Sequence, residues 1–387
     1  MEKSRFELRK FVAPEFIVGE KARLLAGRYA KNLGARQTLV VTGPVVSRAG
    51  WVEDVTESLG EEGIGYTIFS GVSPNPRDNE VMNGAKVFAE AGCDSIVAVG
   101  GGSPIDCAKG IGVVISNRKG VLEFEGVDNI AIPPPPLICI PTTAGTGADV
   151  SQFAIINDTA RKVKIAIISK KIVPDIALVD PEPLTTLSQE LTAHTGMDAL
   201  THSVEAYVSN ASSPVTDIHA LESIQIMKTY LPLAVEHPKK LEWRYQTMLG
   251  SLFAGLAFSN ASLGAVHALA HSLGGLSDLP HGECNALLLE HVMEFNYGSC
   301  PGRYESIGRA LGVETEGLDR DQKKKSILAA VAGMRESLGI TVRLGDLGVR
   351  KSDLEKLAAT ALRDPCLATN PRRATVRDLE KIYEQAL

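Results

Sequence analysis

The sequence predicts a two-part molecule, a mainly parallel α/β half followed by an all-helical half. Three observations carry this expectation. Over roughly the first 180 residues, short β-branched runs alternate with amphipathic stretches, the pattern of a parallel sheet flanked by helices. After the two prolines of "DPEPLTTL", strand patterns fade and helical spacing continues to the C-terminus. At 387 residues the chain exceeds the size at which one hydrophobic core stops growing, so two domains are expected, 1–183 and 184–387.

In order along the chain, "QTLVVTG" (37–43), "YTIFSGV" (66–72), "SIVAVG" (95–100) and "PLICIP" (136–141) read as strands running into turns. Between them, "SRAGWVEDVTESLGEEG" and "RDNEVMNGAKVFAEAG" place apolar residues at helical spacing and close on glycine, as crossover helices do. "PDIALVDPEPLTTL" (174–187) carries a last short strand. Helical patterns then run from "SQELTAHTGMDALTHSVEAYVSN" to "VRDLEKIYEQAL", one of them ending at the pair Gly274 and Gly275 and leaving His281 in a loop.

Composition narrows the function. A net charge of -6 argues against nucleic acid and against an anionic membrane surface as partners. No run approaches the roughly 20 apolar residues that span a bilayer, and "MEKSRFELRKFVAPEF" lacks a secretory-type apolar core, so a cytoplasmic protein is expected. The six cysteines include no C-x-x-C pair and read as reduced thiols.

Two glycine-rich turns follow strands. "VAVGGGSPIDCAKG" enters a helix near Pro104, where exposed backbone N–H groups and the helix dipole favour an anion. "PTTAGTGADVS" adds the hydroxyls of Thr142, Thr143 and Thr146. Ligands of open α/β sheets bind beyond the carboxyl ends of the strands, so the two turns together suggest a nucleotide cofactor.

In the helical half, Asp198 and His202 lie four apart, as do His267 and His271, so each pair shares a helix face. His281 follows closely. Read singly, each histidine suits core packing as well as ligation; two such pairs point to a transition metal. "HALAH" has the spacing of a zinc protease, but Ala268 replaces the general-base glutamate, which disfavours that class.

The motifs "GGGSPIDCAKG", "PTTAGTG", "TGMDALTHSVEAY" and "HALAHSLGGLSDLPHGECNALLL" resemble the iron-containing (group III) alcohol dehydrogenases, nearly end to end. The resemblance implies a Rossmann-like dinucleotide-binding domain and a helical metal-binding catalytic domain, in a dehydroquinate synthase-like architecture. It implies Asp198, His202, His267 and His281 as ligands of one Fe2+ ion, a donor set that also suits Zn2+ or another divalent metal. His271 becomes a catalytic group that relays protons or positions the nicotinamide. For NAD or NADP it implies Gly101, Gly102 and Ser103 at the pyrophosphate, with Thr142, Thr143, Thr146, Asn75 and Lys164 as further contacts. Asp106, near the phosphate turn, is expected to cap the helix start.

By family position Phe153, Phe258 and Cys366 line a pocket for small or medium primary alcohols and aldehydes, and the expected assembly is a homodimer. One departure concerns the cofactor. Family members that prefer NAD often end their first strand "VTD"; this chain reads "VTG", and Gly43 removes an acid that repels a 2'-phosphate, which admits NADP. The alternatives are a polyol or glycerol dehydrogenase, a dehydroquinate synthase-like enzyme, and a low-turnover metal and cofactor sensor. The second requires a basic pocket for a phosphorylated acid that the sequence does not display.

Overall fold

The computed structural model describes residues 8–277 and 279–387. The strands are β1 (Glu15–Val18), β2 (Gln37–Thr42), β3 (Gly65–Phe69), β4 (Ser95–Gly100), β5 (Gly126–Val127), β6 (Leu137–Pro141), β7 (Phe153–Asp158), β8 (Val163–Ile168) and β9 (Ile176–Val179). Helices of the first half are α1 (Ala26–Asn32), α2 (Pro44–Ser47), α3 (Trp51–Glu61), α4 (Asp78–Glu90) and α5 (Gly102–Asn117). A six-stranded sheet in the order β1-β9-β6-β4-β2-β3 is parallel throughout. Leu39, Val40 and Val41 of β2 and Ile96 to Val99 of β4 are buried, because helices cover both faces of a parallel sheet.

The chain leaves β2 for β3 at one edge, then returns to place β4 on the other side of β2. The strand order therefore reverses between β2 and β4, the place where such sheets open a crevice. Next to it, β4 pairs with β6, and the Thr142 N–H donates to the Gly100 carbonyl at 3.0 Å, so the two glycine-rich turns lie side by side.

Two features escape the sequence reading. β1 is a four-residue edge strand, too short to show a period, and its Phe16 stays exposed. The segments "FAIIND" and "VKIAII" form an antiparallel pair, β7 and β8, which joins β5 in a separate small sheet. Both strands carry Ile-rich alternation, and a turn in which the Lys162 N–H donates to the Asp158 carbonyl joins them.

The change from strand to helix falls between Val179 and Gln189. Then come α6 (Gln189–Val208), α7 (Pro214–Glu236), α8 (Leu241–Ala261), α9 (Ala265–Ser277), α10 (His281–Tyr297), α11 (Pro301–Ala310), α12 (Arg320–Ser337), α13 (Leu354–Ala361) and α14 (Val376–Ala386). From Gly196 to Val208, α6 is buried on every face, as expected of a helix at the centre of a bundle. Among the described residues no single helix is long and apolar enough to cross a membrane; α8 and α9 qualify together but meet at 100°.

Three sequence expectations are corrected. Gly274 and Gly275 do not end a helix, since α9 continues to Ser277. They let α9 press on β8: a Cβ on Gly275 would lie 3.1 Å from Val163 Cα and 3.2 Å from the Lys164 backbone nitrogen. His281 is not in a loop but opens α10. Asp106 does not cap α5; its Oδ2 accepts the Ile155 N–H of β7 at 3.1 Å.

Candidate active site

Three helices meet beyond the two turns. α6 brings Asp198 and His202, α9 brings His267 and His271, and α10 brings His281 and, one turn on, Asn285. Asp198 Oδ1 is the hub, 3.8 Å from His267 Nε2, 3.8 Å from His281 Nε2 and 4.0 Å from His202 Nε2. Glycine permits the convergence. A Cβ on Gly282 would sit 2.4 Å from the His194 carbonyl oxygen, so only glycine lets the start of α10 lie against α6.

Three of the four imidazoles are oriented through their other nitrogen. His267 Nδ1–H donates to Glu205 Oε2 at 2.6 Å, and His202 Nδ1–H donates to the Gly145 carbonyl at 3.1 Å. His271 Nδ1–H donates to Asp364 Oδ2 at 2.8 Å. These partners fix the tautomers and turn the His202 and His267 Nε2 atoms toward Asp198. Glu205 also accepts the Val266 N–H at 2.7 Å, tying the first turn of α9 to α6.

Charge follows burial. Burial disfavours the Asp198 carboxylate, but His202, His281 and His267 outweigh it and hold its pKa well below the usual carboxylate range. Burial pushes His202 down to about 3 against the pull of Asp198, and it lowers His281 strongly as well. For His267, burial is overcome by Asp198 and Glu205, which raise it to about 9.

One carboxylate and three imidazoles, neutral once His267 gives up its proton, form the donor set of a divalent transition metal. The ligand atoms of Asp198, His267 and His281 lie within 4.8 Å of one another. Among the described residues, two buried side-chain atoms, His281 Nδ1 and Asn285 Oδ1, lack a hydrogen-bond partner, and both belong to this cluster. The residues fit a metal.

One cavity joins this cluster to the glycine-rich turns. Asn75, Gly102, Ser103, Thr146 and Lys164 line one end; Asp198, His202, His267, His271 and His281 line the other; Phe153, Phe258 and Leu263 form wall between them. Lys164 Nζ donates to Asn75 Oδ1 at 2.8 Å, and the Asn75 N–H donates to Ser103 Oγ at 3.2 Å. A Cβ on Gly102 would meet the Thr146 side chain at 3.0 Å, so the cradle between the turns depends on glycine. The first turn of α5 carries no side-chain cap and leaves N–H groups for an anion. A dinucleotide fits the cradle.

Asp106 also faces this cavity, where burial raises its pKa to about 6 although Lys109 and Lys164 pull it down. Gly43, Gly101, Thr142, Thr143 and Cys366 are not among the described residues that line the cavity. Gly101 packs on Thr143, Gly43 starts α2 beside Val72, and Cys366 is buried with its N–H bonded to Asp364 Oδ1 at 2.8 Å. Glu205, Asn285 and Asp364 were missed by sequence reasoning. Glu205 stands three residues after His202 and Asn285 four after His281, spacings that share a helix face; Asp364 has no local pattern to reveal it.

Residues 13–181 match the family described as iron-containing alcohol dehydrogenase, and residues 192–387 match the C-terminal part of the Fe-containing alcohol dehydrogenase family. The chain is 37% identical to the NAD-dependent methanol dehydrogenase of Bacillus methanolicus, covering 97% of this chain and 99% of that one. It is 39% identical to the 1,3-propanediol dehydrogenase of Citrobacter freundii, over 95% and 96% of the two chains. A crystal structure of 1,3-propanediol oxidoreductase superposes with a TM-score of 0.96 at 38% identity, covering 98% of this chain and 100% of that one. With its convergent carboxylate and imidazoles beside a dinucleotide cradle, the chain belongs to the iron-containing alcohol dehydrogenase family, metal-dependent oxidoreductases that act on CH–OH groups with a nicotinamide cofactor.

Proposed function

We propose that Asp198, His202, His267 and His281 hold one Fe2+ ion, with Zn2+ or another divalent metal as substitutes. The turns at Gly101–Ser103 and Thr142–Thr146 hold NAD or NADP. The substrate is a small or medium primary alcohol, diols included, or the corresponding aldehyde. The observation that carries this reading is the convergence of three Nε2 atoms within 4.0 Å of Asp198 Oδ1 at the end of the glycine-lined cavity.

When bound, the metal supplies Lewis acidity toward the substrate oxygen and the nicotinamide exchanges the hydride. The rest falls to this chain. Glu205 and the Gly145 carbonyl hold His267 and His202 in their ligating tautomers. His271, oriented through Nδ1 by Asp364, takes up the hydroxyl proton at Nε2 and passes it toward solvent. Phe153, Phe258 and Leu263 exclude water and favour an apolar carbon chain, while buried Cys366 stands beside His271 and Asp364. Asn75 and Lys164 brace the cofactor side of the cavity, and Gly43, which follows β2, is assigned to the adenosine ribose.

We also assign the chain to a cytoplasmic homodimer. Its six cysteines are free, which suits a reducing compartment, and edge strand β3 exposes Tyr66 and Ile68, a surface a second copy can cover. The test strips the metal under anaerobic conditions, restores Fe(II) or Zn(II), and follows alcohol-dependent reduction of NAD and of NADP. Turnover is expected only with metal, and His267→Ala is expected to lose metal and activity together. Full activity of that variant overturns the ligand set, and sedimentation as a monomer overturns the dimer.

A further inference from the structure

Asn285 is fully buried on α10 and does not line the cavity. Its Nδ2 lies 2.6 Å from Asp198 Oδ1, 3.1 Å from His267 Nε2 and 3.2 Å from His281 Nε2, in contact with three of the four proposed ligand atoms. Its Oδ1 has no hydrogen-bond partner among the described residues. Buried amides normally satisfy both ends, so an asparagine with an orphaned oxygen calls for a reason. Turning the amide over would set two acceptor oxygens 2.6 Å apart, so the N–H side is held toward the ligands. A leucine would fill similar space without an orphan. What the asparagine adds is donated hydrogen.

We propose that Asn285 is a positioning residue of the metal centre: its amide donates to Asp198 Oδ1, fixes which carboxylate oxygen faces the three imidazoles, and keeps the ligands assembled for a divalent transition metal. The inference rests on the ligand set proposed above. An amide nitrogen has two hydrogens, so Asn285 can serve Asp198 and His281 Nε2 together. The bond to an imidazole is surrendered when that nitrogen takes the metal, whereas the bond to Asp198 can persist. Such outer hydrogen bonds to ligands control metal affinity over about 10- to 100-fold.

The experiment measures zinc affinity by competition with a chromophoric chelator, and the absorption bands of the Co(II)-loaded protein, for Asn285→Leu, Asn285→Ala and Asn285→Ser. Leu and Ala are expected to weaken zinc binding about 10- to 100-fold and to shift the cobalt bands, while Ser, which keeps an O–H donor, recovers part of both. Either apolar variant that folds, judged by its melting curve, decides the matter. Wild-type affinity and unchanged cobalt bands in that variant overturn the proposal. His281→Ala is measured alongside. If it too binds zinc as wild type, the ligand set has failed; if it loses zinc while Asn285→Leu does not, only the role of Asn285 has failed.

Discussion

Replacing Glu205 by Gln tests how the proposed metal site sets metal against proton. In the wild-type protein Glu205 Oε1 accepts the Val266 N–H and Oε2 accepts His267 Nδ1–H. With His267 raised to about 9, metal uptake at neutral pH must expel a proton, so affinity climbs about tenfold per pH unit and levels off above pH 9. At pH 7, about two units lower, the proton weakens binding roughly 100-fold. Glutamine removes one of the two charges that hold this proton. His267 then moves toward its ordinary value near 6.5, and the rising limb ends at a lower pH.

Glutamine also turns an NH2 group toward either Val266 N–H or His267 Nδ1–H. One buried donor is left unpaired, a cost of about 1–3 kcal/mol in stability. Above pH 9 only the lost orientation of His267 remains, and affinity should fall about 10- to 100-fold, or roughly 1.4–2.8 kcal/mol. At pH 7 the released proton offsets much of this. Chelator competition for zinc from pH 6.5 to 9.5 reads both effects. A variant that keeps the wild-type slope to pH 9, or matches wild-type affinity there, refutes the reasoning.

Gly275→Ala should cost little, because the 3.1 Å approach to Val163 Cα is offset by about 1 kcal/mol of helix propensity. Gly275→Val should lose about 1–3 kcal/mol by overpacking α9 against β8, with a fall in kcat that a melting curve and a rate measurement together detect. Lys109 is buried and donates to the carbonyls of Ala148, Ser151 and Phe153 at 2.6, 2.8 and 2.8 Å, so Lys109→Met should destabilise by about 1–3 kcal/mol for each carbonyl left unpaired and raise KM, since Ala148, Ser151 and Phe153 line the cavity. Unchanged KM in a folded Lys109→Met protein would show that this wall does not set substrate binding. Gly43→Asp, whose Cβ must displace the Val72 carbonyl from 3.2 Å, should lower the NADP-to-NAD rate ratio at least about tenfold, and an unchanged ratio would remove Gly43 from the ribose site.

Local pattern made much of the fold legible. β2, β4 and β6 are continuous apolar runs because both faces of a parallel sheet are covered, and α3 and α4 end near glycines where the chain reverses. The pairs Asp198–His202 and His267–His271 were visible because a helix brings i and i+4 to one face. Glu205 and Asn285 obey similar spacing but are not unusual residue types in a helix, so nothing marked them beforehand. Asp364 lies 93 positions from His271, and no local rule links them.

Glycine was the ambiguous letter. At Gly274 and Gly275 a stop signal and a close-packing signal are written alike, and only the position of β8 against α9 separates them. By itself the sequence determined β2, β3, β4, β6 and β9 with the helices between the first of them, the change to a helical half, the two anion-ready turns and the pool of metal-type side chains, since these depend on residues within a few positions of one another. The tertiary structure alone decided that three helices bring three imidazoles to one carboxylate oxygen of Asp198, that Glu205 and Asp364 orient imidazoles, and that the Asn285 amide lies against this cluster. Those contacts join α6, α9, α10 and the segment after α13, and their geometry is set by helix packing, to which spacing along the chain is blind.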